Sequence, residues 1–160
     1  MTEAAFRDAY RDHKDVVYRF ARRMTGSPAA AEDIVQDSYL ALWRNDAVYR
    51  PERGSLRSFL IGIARNLALQ RMRGDRPYEE LAEDVSIKDP INMVGLERAE
   101  LVARAVMALP PLQREALILA EYEEMSLEDI GLATKAEVAA VKSRLHRARE
   151  NLRRMLANLL

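Results

Sequence analysis

No cysteine occurs in the chain, which excludes a disulfide framework and a thiolate metal site. Histidine is nearly as scarce: only His13 and His146 are present, and a lone histidine without cysteine or carboxylate partners makes a poor metal ligand. No apolar run approaches the roughly 20 residues needed to cross a bilayer. The first ten residues carry Glu3, Arg7 and Asp8, where a signal peptide would need an apolar core. The expectation is a cytoplasmic protein without membrane insertion. A phosphate-binding loop, a cysteine nucleophile and a Ser/His/Asp arrangement are missing as well, so the expectation is a protein that is not an enzyme and uses no cofactor or metal.

What is present is ordinary in bulk and uneven in detail. Over 160 residues, 49% are apolar and 31% charged, which suits one globular domain or two small ones. The net charge of zero conceals segregation. Residues 1–74 carry 13 basic and 9 acidic side chains, residues 75–100 carry 3 and 8, and residues 101–160 carry 9 and 8. Between Arg53 and Arg73 lie five arginines and no acid, and between Lys135 and Arg154 seven basic residues against Glu137 and Glu150. Phosphates meet one face at a time, so local sign outweighs the total. A solvated helix face is the plainer reading of either run alone.

Helical periodicity dominates and no alternating strand pattern is evident. A first helix is expected from about Glu3 to Met24, stopped by Thr25-Gly26-Ser27-Pro28. Ser27 can cap a second helix with Pro28 at its first position, running to Trp43 or Arg44. Asn45 to Gly54 reads as a polar loop, and a third helix follows Ser55 to about Arg73. Residues 1–74 thus form a three-helix bundle. Residues 75–95 are acidic, hold Pro77 and Pro90 and read as a flexible linker, with only a helical turn at Tyr78 to Glu83. About 21 residues reach about 70 Å when extended at ~3.3 Å each, and roughly 25 Å as a flexible chain. Residues 96–160 form a second, four-helix module. One helix precedes Pro110-Pro111 and another covers Leu112 to about Tyr122. A short helix is capped by Ser126 in a Ser-Leu-Glu-Asp capping box, and a basic helix runs from Glu137 to about Leu156. The last two, around a turn at Thr134-Lys135-Ala136, describe a helix-turn-helix. The fold class is therefore all-α, two small helical modules on an acidic linker.

Four motifs in order carry a family resemblance. Ala31-Glu32-Asp33-Ile34-Val35-Gln36-Asp37-Ser38-Tyr39 with Trp43 resembles region 2.2 of the extracytoplasmic-function (ECF) sigma factors. Gly54 to Leu60 and Ile63 to Ala68 resemble regions 2.3 and 2.4. Ala108 to Ala116 resembles the entrance to region 4, and Val141-Lys142-Ser143-Arg144-Leu145-His146-Arg147-Ala148-Arg149 its signature. The resemblance covers nearly the whole chain except the linker.

The resemblance implies a transcription initiation factor that directs core RNA polymerase to promoters and is restrained by an anti-sigma factor. It implies that Asp33, Gln36, Asp37, Leu40 and Trp43 dock on the β′ clamp helices, with the β flap as a second polymerase contact. Tyr49 and Asn66 would address bases of the −10 element, while Arg57, Arg65, Arg71 and Arg73 hold phosphates. Lys142, Ser143, Arg144, His146, Arg147 and Arg149 would contact the −35 element. At about 100° per residue Lys142, His146 and Arg149 lie near one face, while Val138, Val141, Leu145 and Leu152 form the inward stripe. The chain departs from the family at the turn, where Leu-Gly-Ile-Ser is usual: Lys135 stands where glycine would adopt a left-handed conformation, which costs a lysine roughly 1–2 kcal/mol. The family threonine before Val141 is Ala140 here. A dimeric helix-turn-helix repressor or activator, a helical enzyme and an interaction-only helical protein are the alternatives. No obligate homo-oligomer is expected.

Overall fold

The computed structural model describes residues 1–44, 48–74 and 95–157, and among these every regular element is helical. Helix α1 (Glu3–Thr25) begins where the Thr2 hydroxyl accepts from the Ala5 amide at 3.1 Å. It ends at Gly26, whose φ of 72° returns its N–H to the Arg22 carbonyl, a close that glycine makes without a Cβ clash. Ser27 accepts from Ala30 at 3.1 Å and opens α2 (Pro28–Trp43). Ser55 likewise caps α3 (Leu56–Arg73), preceded by a single 3₁₀ turn at Pro51–Arg53. The three helices close around Val17, Phe20, Met24, Ile34, Leu60 and Ile61, all buried. Each large apolar side chain in that position contributes roughly 1.5–3 kcal/mol. The Tyr39 hydroxyl donates to the Ala9 carbonyl at 3.0 Å, so its buried polar end is satisfied.

The second half contains α4 (Arg98–Ala108), α5 (Pro111–Leu117), α6 (Leu127–Thr134) and α7 (Val138–Leu156). The expected single helix from Leu112 to Tyr122 is in fact two pieces: α5 passes into a π turn over Ile118–Tyr122. The Glu123 amide donates to Ile118 at 3.2 Å, Glu124 takes φ 53°, and the Met125 amide reaches Leu119 at 3.0 Å. Ser126 then caps α6, accepting from Asp129 at 3.1 Å. The atypical turn is left-handed after all, with Lys135 at φ 54° and ψ 46°. Its tightness rests on Gly131. A Cβ there would lie 2.7 Å from the Ala136 carbonyl oxygen, whereas the Ala136 amide now donates to Gly131 at 3.0 Å.

The two halves do not merely hang on a tether. One buried cluster runs from Ala9 in α1 to Ala148 in α7, and α3 lies along α6 at glycine distance. A Cβ on Gly62 would meet the Ala133 carbonyl oxygen at 3.2 Å. The linker and its helical turn, apart from Gly95, fall outside the described residues, as do Asn45 to Ala47 of the loop.

Candidate nucleic-acid interface

Three surfaces were expected, on α2, α3 and α7. On α2, Asp33, Gln36, Asp37, Leu40 and Trp43 are all exposed on one side of the helix. Trp43 is 46% exposed and rests edge-on against Phe6, ring centroids 4.9 Å apart. It is both a packing element and an open aromatic surface. A groove of about 620 Å³ between α1 and α2 continues this surface past Gln36 and Leu40 to Tyr10 and Tyr18. Asp33 also accepts from Arg71 at 3.2 Å, so one residue expected at polymerase and one expected at the −10 element meet each other.

On α7, Lys142, Ser143, His146 and Arg149 are exposed, and Arg147 is half-buried beside them. Arg149 pairs with Glu121 at 2.6 Å, both side chains about half exposed, a pair that solvent leaves weak. Arg144 does not join this group. It is buried together with Val141, Leu145, Ala148 and Asn151, so the inward stripe includes a guanidinium, and its charge acts on Glu115 of α5. Val138 and Leu152, expected inward, are only partly buried. Asn151 locks α7 to α5 by donating to Gln113 at 2.7 Å.

On α3 the arrangement is different again. Asn66 is exposed and Arg73 half-buried. Arg65 is buried and bidentate on Glu115, Nε to Oε2 at 2.8 Å and NH2 to Oε1 at 3.1 Å, while its third nitrogen reaches Asn66 at 3.3 Å. Burial pushes the Glu115 carboxyl up and the Arg65 guanidinium opposes it. One turn of helix from Ile61, Arg57 donates to both the carbonyl (3.1 Å) and the carboxylate (3.3 Å) of Glu123. Arg19 of α1 binds the same carboxylate at 2.8 Å, and Arg23 stands 3.8 Å away. The Glu123 side chain is only 2% exposed. Tyr49 donates its hydroxyl to the Gly54 carbonyl at 3.0 Å and tilts against Phe59. Its cleft, about 250 Å³, is closed on one side by Leu132 and Lys135 of the second half.

Three residues here had no expected site role: Glu123, and Arg114 and Glu115, which entered only as part of the Ala108 to Ala116 motif. Arg114 is buried without a carboxylate. It donates to the carbonyls of Met24 (2.5 Å), Met107 (2.6 Å) and Leu109 (2.9 Å), which are the C-terminal ends of α1 and α4. Helix ends leave carbonyls unpaired and carry partial negative charge, so two converging C-termini replace an anion. Burial nevertheless lowers the guanidinium to about 10. An Arg-Glu pair beside Gln113 inside the mostly apolar run Leu112 to Leu119 was the available clue, because charges in a helix buried all round need partners.

Comparisons with known proteins agree with this layout. Residues 9–78 match the model of Sigma-70 region 2 and residues 99–152 that of Sigma-70, region 4. SigW, an ECF RNA polymerase sigma factor of Bacillus subtilis, is 30% identical over 170 residues, covering 97% of this chain and 90% of SigW. This chain belongs to the ECF RNA polymerase sigma factors. The ECF sigma factor SigE of Mycolicibacterium smegmatis is 37% identical over 156 residues, with 92% of this chain matched and 60% of SigE spanned. Among solved structures, the sigma factor RpoE of Bartonella quintana, in complex with the anti-sigma factor NepR, superposes with TM-score 0.72. The match is 25% identical and covers 98% of this chain and 99% of RpoE. CnrH, in complex with the cytosolic domain of CnrY, shares the fold at TM-score 0.74 and 23% identity, over 99% of this chain and 92% of CnrH. For this ECF sigma factor, the helices α1 to α3 are thus region 2 and α4 to α7 region 4. Among the described residues no helix is long and apolar enough to cross a membrane, and no group of residues could hold a metal ion.

Proposed function

We propose that this sigma factor acts in the cytoplasm, where it recruits core RNA polymerase to promoters through two separable modules, residues 1–74 and 96–160. The observation that carries the reading is the exposed cationic face of α7, Lys142, His146 and Arg149 with Arg147 at its edge, on the second helix of a helix-turn-helix. Such a face enters a major groove, its cations on phosphates and its remaining donors at base edges. That face reads the −35 element, while Tyr49, Arg57, Arg65, Asn66, Arg71 and Arg73 serve the −10 element. Arg144 stabilises α7 from behind. The α2 surface around Leu40 and Trp43 docks on the β′ clamp helices, an aromatic anchor ringed by hydrogen-bonding groups, and region 4 contacts the β flap. The factor contributes recognition and leaves catalysis to polymerase. The complex of RpoE with the anti-sigma factor NepR supports an anti-sigma factor as a further partner.

The test is run-off transcription from a genomic template library by core polymerase with and without this chain. New start sites that share two upstream boxes are the expected result. Unaltered start sites, together with no binding to core polymerase, would replace the reading by a self-sufficient helix-turn-helix regulator.

A further inference from the structure

The C-terminal end of α1 gathers more positive charge than its neighbours balance. Arg19 gives Nε and Nη2 to Glu123 at 3.2 and 2.8 Å, and Arg23 stands 3.8 Å from the same carboxylate. That carboxylate also accepts from Arg57, so one negative charge, 2% exposed, serves three guanidinium groups. Among the described residues no carboxylate pairs with Arg22. A helix C-terminus carries only about half a negative charge, and Arg114 already donates to the Met24 carbonyl there. Neither neutralises the surplus.

Arg19, Arg22 and Arg23 all line a cleft of about 340 Å³ whose other residues come from α4 and the π turn, and no acid is among the lining residues. The Arg23 guanidinium lies 4.1 Å from the Tyr122 ring centroid, a cation-π stack that holds this cation in place. Tyr18, also in the lining, is half-buried and stacks on no other ring among the described residues. Met107 adds apolar surface. Ligand pockets run from roughly 300 to 1,000 Å³, so the cleft suits one small molecule. Clustered guanidinium groups select phosphates, and a free ring beside apolar side chains selects a flat aromatic group. Together they describe a nucleotide, and three cations suit a chain of phosphates better than a single one.

We infer that this cleft is a binding site for a nucleoside triphosphate, its phosphates on Arg19, Arg22 and Arg23 and its base against Tyr18. Among the described residues no group of acids could hold a metal ion, so the guanidinium groups supply the countercharge. The lining comes from α1, α4 and the π turn. A ligand held there binds the folded chain alone and raises its stability. None of these residues belongs to the surfaces proposed for promoter DNA, so the site stands or falls independently of promoter recognition.

Calorimetric titration of the full chain with ATP, GTP, CTP and UTP in turn tests the site. At least one of them saturates a single site. Arg22→Gln, which breaks no ion pair among the described residues, weakens that binding by about tenfold or more. Ala103→Glu puts an anion at an exposed position of the lining and abolishes it. Tyr18→Leu weakens the nucleotide and leaves inorganic triphosphate as it was, which separates base from phosphate. Arg147→Ala, on α7, leaves nucleotide affinity at the parental value. Thermal melts show which variants fold, and Ala103→Glu, on an exposed helix surface, keeps the test readable where a substitution in α1 does not fold. Absence of saturable binding by all four nucleotides overturns the inference, as does parental affinity in folded Arg22→Gln and Ala103→Glu. Equal affinity for inorganic triphosphate overturns it as well, leaving an unselective anion patch. So does displacement of the nucleotide by a lower concentration of single-stranded oligonucleotide, which would make the cleft part of a nucleic-acid path.

Discussion

The basic runs that include α3 and α7 look alike in sequence: five arginines without an acid from Arg53 to Arg73, seven basic residues from Lys135 to Arg154. In the folded chain they have opposite fates. On α7 the exposed side chains face solvent or a half-exposed partner such as Glu121, and remain available to a polyanion. On α3, Arg65 and Arg57 are drawn into ion pairs with carboxylates that are 0% and 2% exposed. A basic run therefore identifies a helix that can meet phosphate, while burial decides whether it meets phosphate or a carboxylate of the same chain. An ion pair taken out of water gains little over the separated, hydrated charges, yet removing one partner is costly. That makes the α3 contact a specific closure and a poor source of net stability.

The largest expected effect comes from breaking that closure on one side only. Glu115→Ala strands the Arg65 guanidinium and removes a charge near Arg144. It costs about 3–5 kcal/mol for as long as the modules stay together. Urea unfolding measures the loss, and a cost under about 1 kcal/mol would mean that Arg65 is already hydrated in solution. Next is Gly131→Ala, whose Cβ would meet the Ala136 oxygen at 2.7 Å. Overpacking of this kind costs roughly 1–3 kcal/mol, read as a lower melting temperature and weaker upstream-box binding, because the turn orients α7.

The two faces are separated most sharply by a salt titration. Arg147→Ala should lower the slope of log affinity against log salt for upstream-box duplex by about 0.9. Arg57→Ala should leave that slope unchanged in the free protein. Equal effects of the two substitutions would erase the distinction between the faces. The smallest effect is a gain: Lys135→Gly relieves a left-handed lysine and raises stability by about 0.5–1 kcal/mol after the added freedom of the unfolded chain is subtracted. A thermal melt of the otherwise unchanged protein resolves it.

Much of the fold was legible because its signals are local. Ser27 and Ser126 cap the helices they were expected to cap, and Ser55 caps the helix expected to follow it, since a hydroxyl needs only its own next turn to satisfy an amide. The α7 face was legible for the same reason, helical spacing alone placing Lys142, His146 and Arg149 together. Arg144 was not, because an arginine on an inward stripe is credible only once Glu115 is known to lie near it. The π turn was missed because a five-residue register change leaves the apolar pattern of Leu112 to Leu119 nearly intact.

Order along the chain, periodicity and capping residues determined seven helices among the described residues, most of their boundaries but not the end of α5, and the family to which they belong. Each depends on interactions within a turn or two. Whether the arginines of α3 meet solvent, DNA or Glu115 depends on groups 50 residues away in sequence, and so does the seat of Arg114 between two helix ends. Those partners are chosen by how the two halves pack, because the desolvation that makes a buried charge demand a counter-charge does not exist until the packing does.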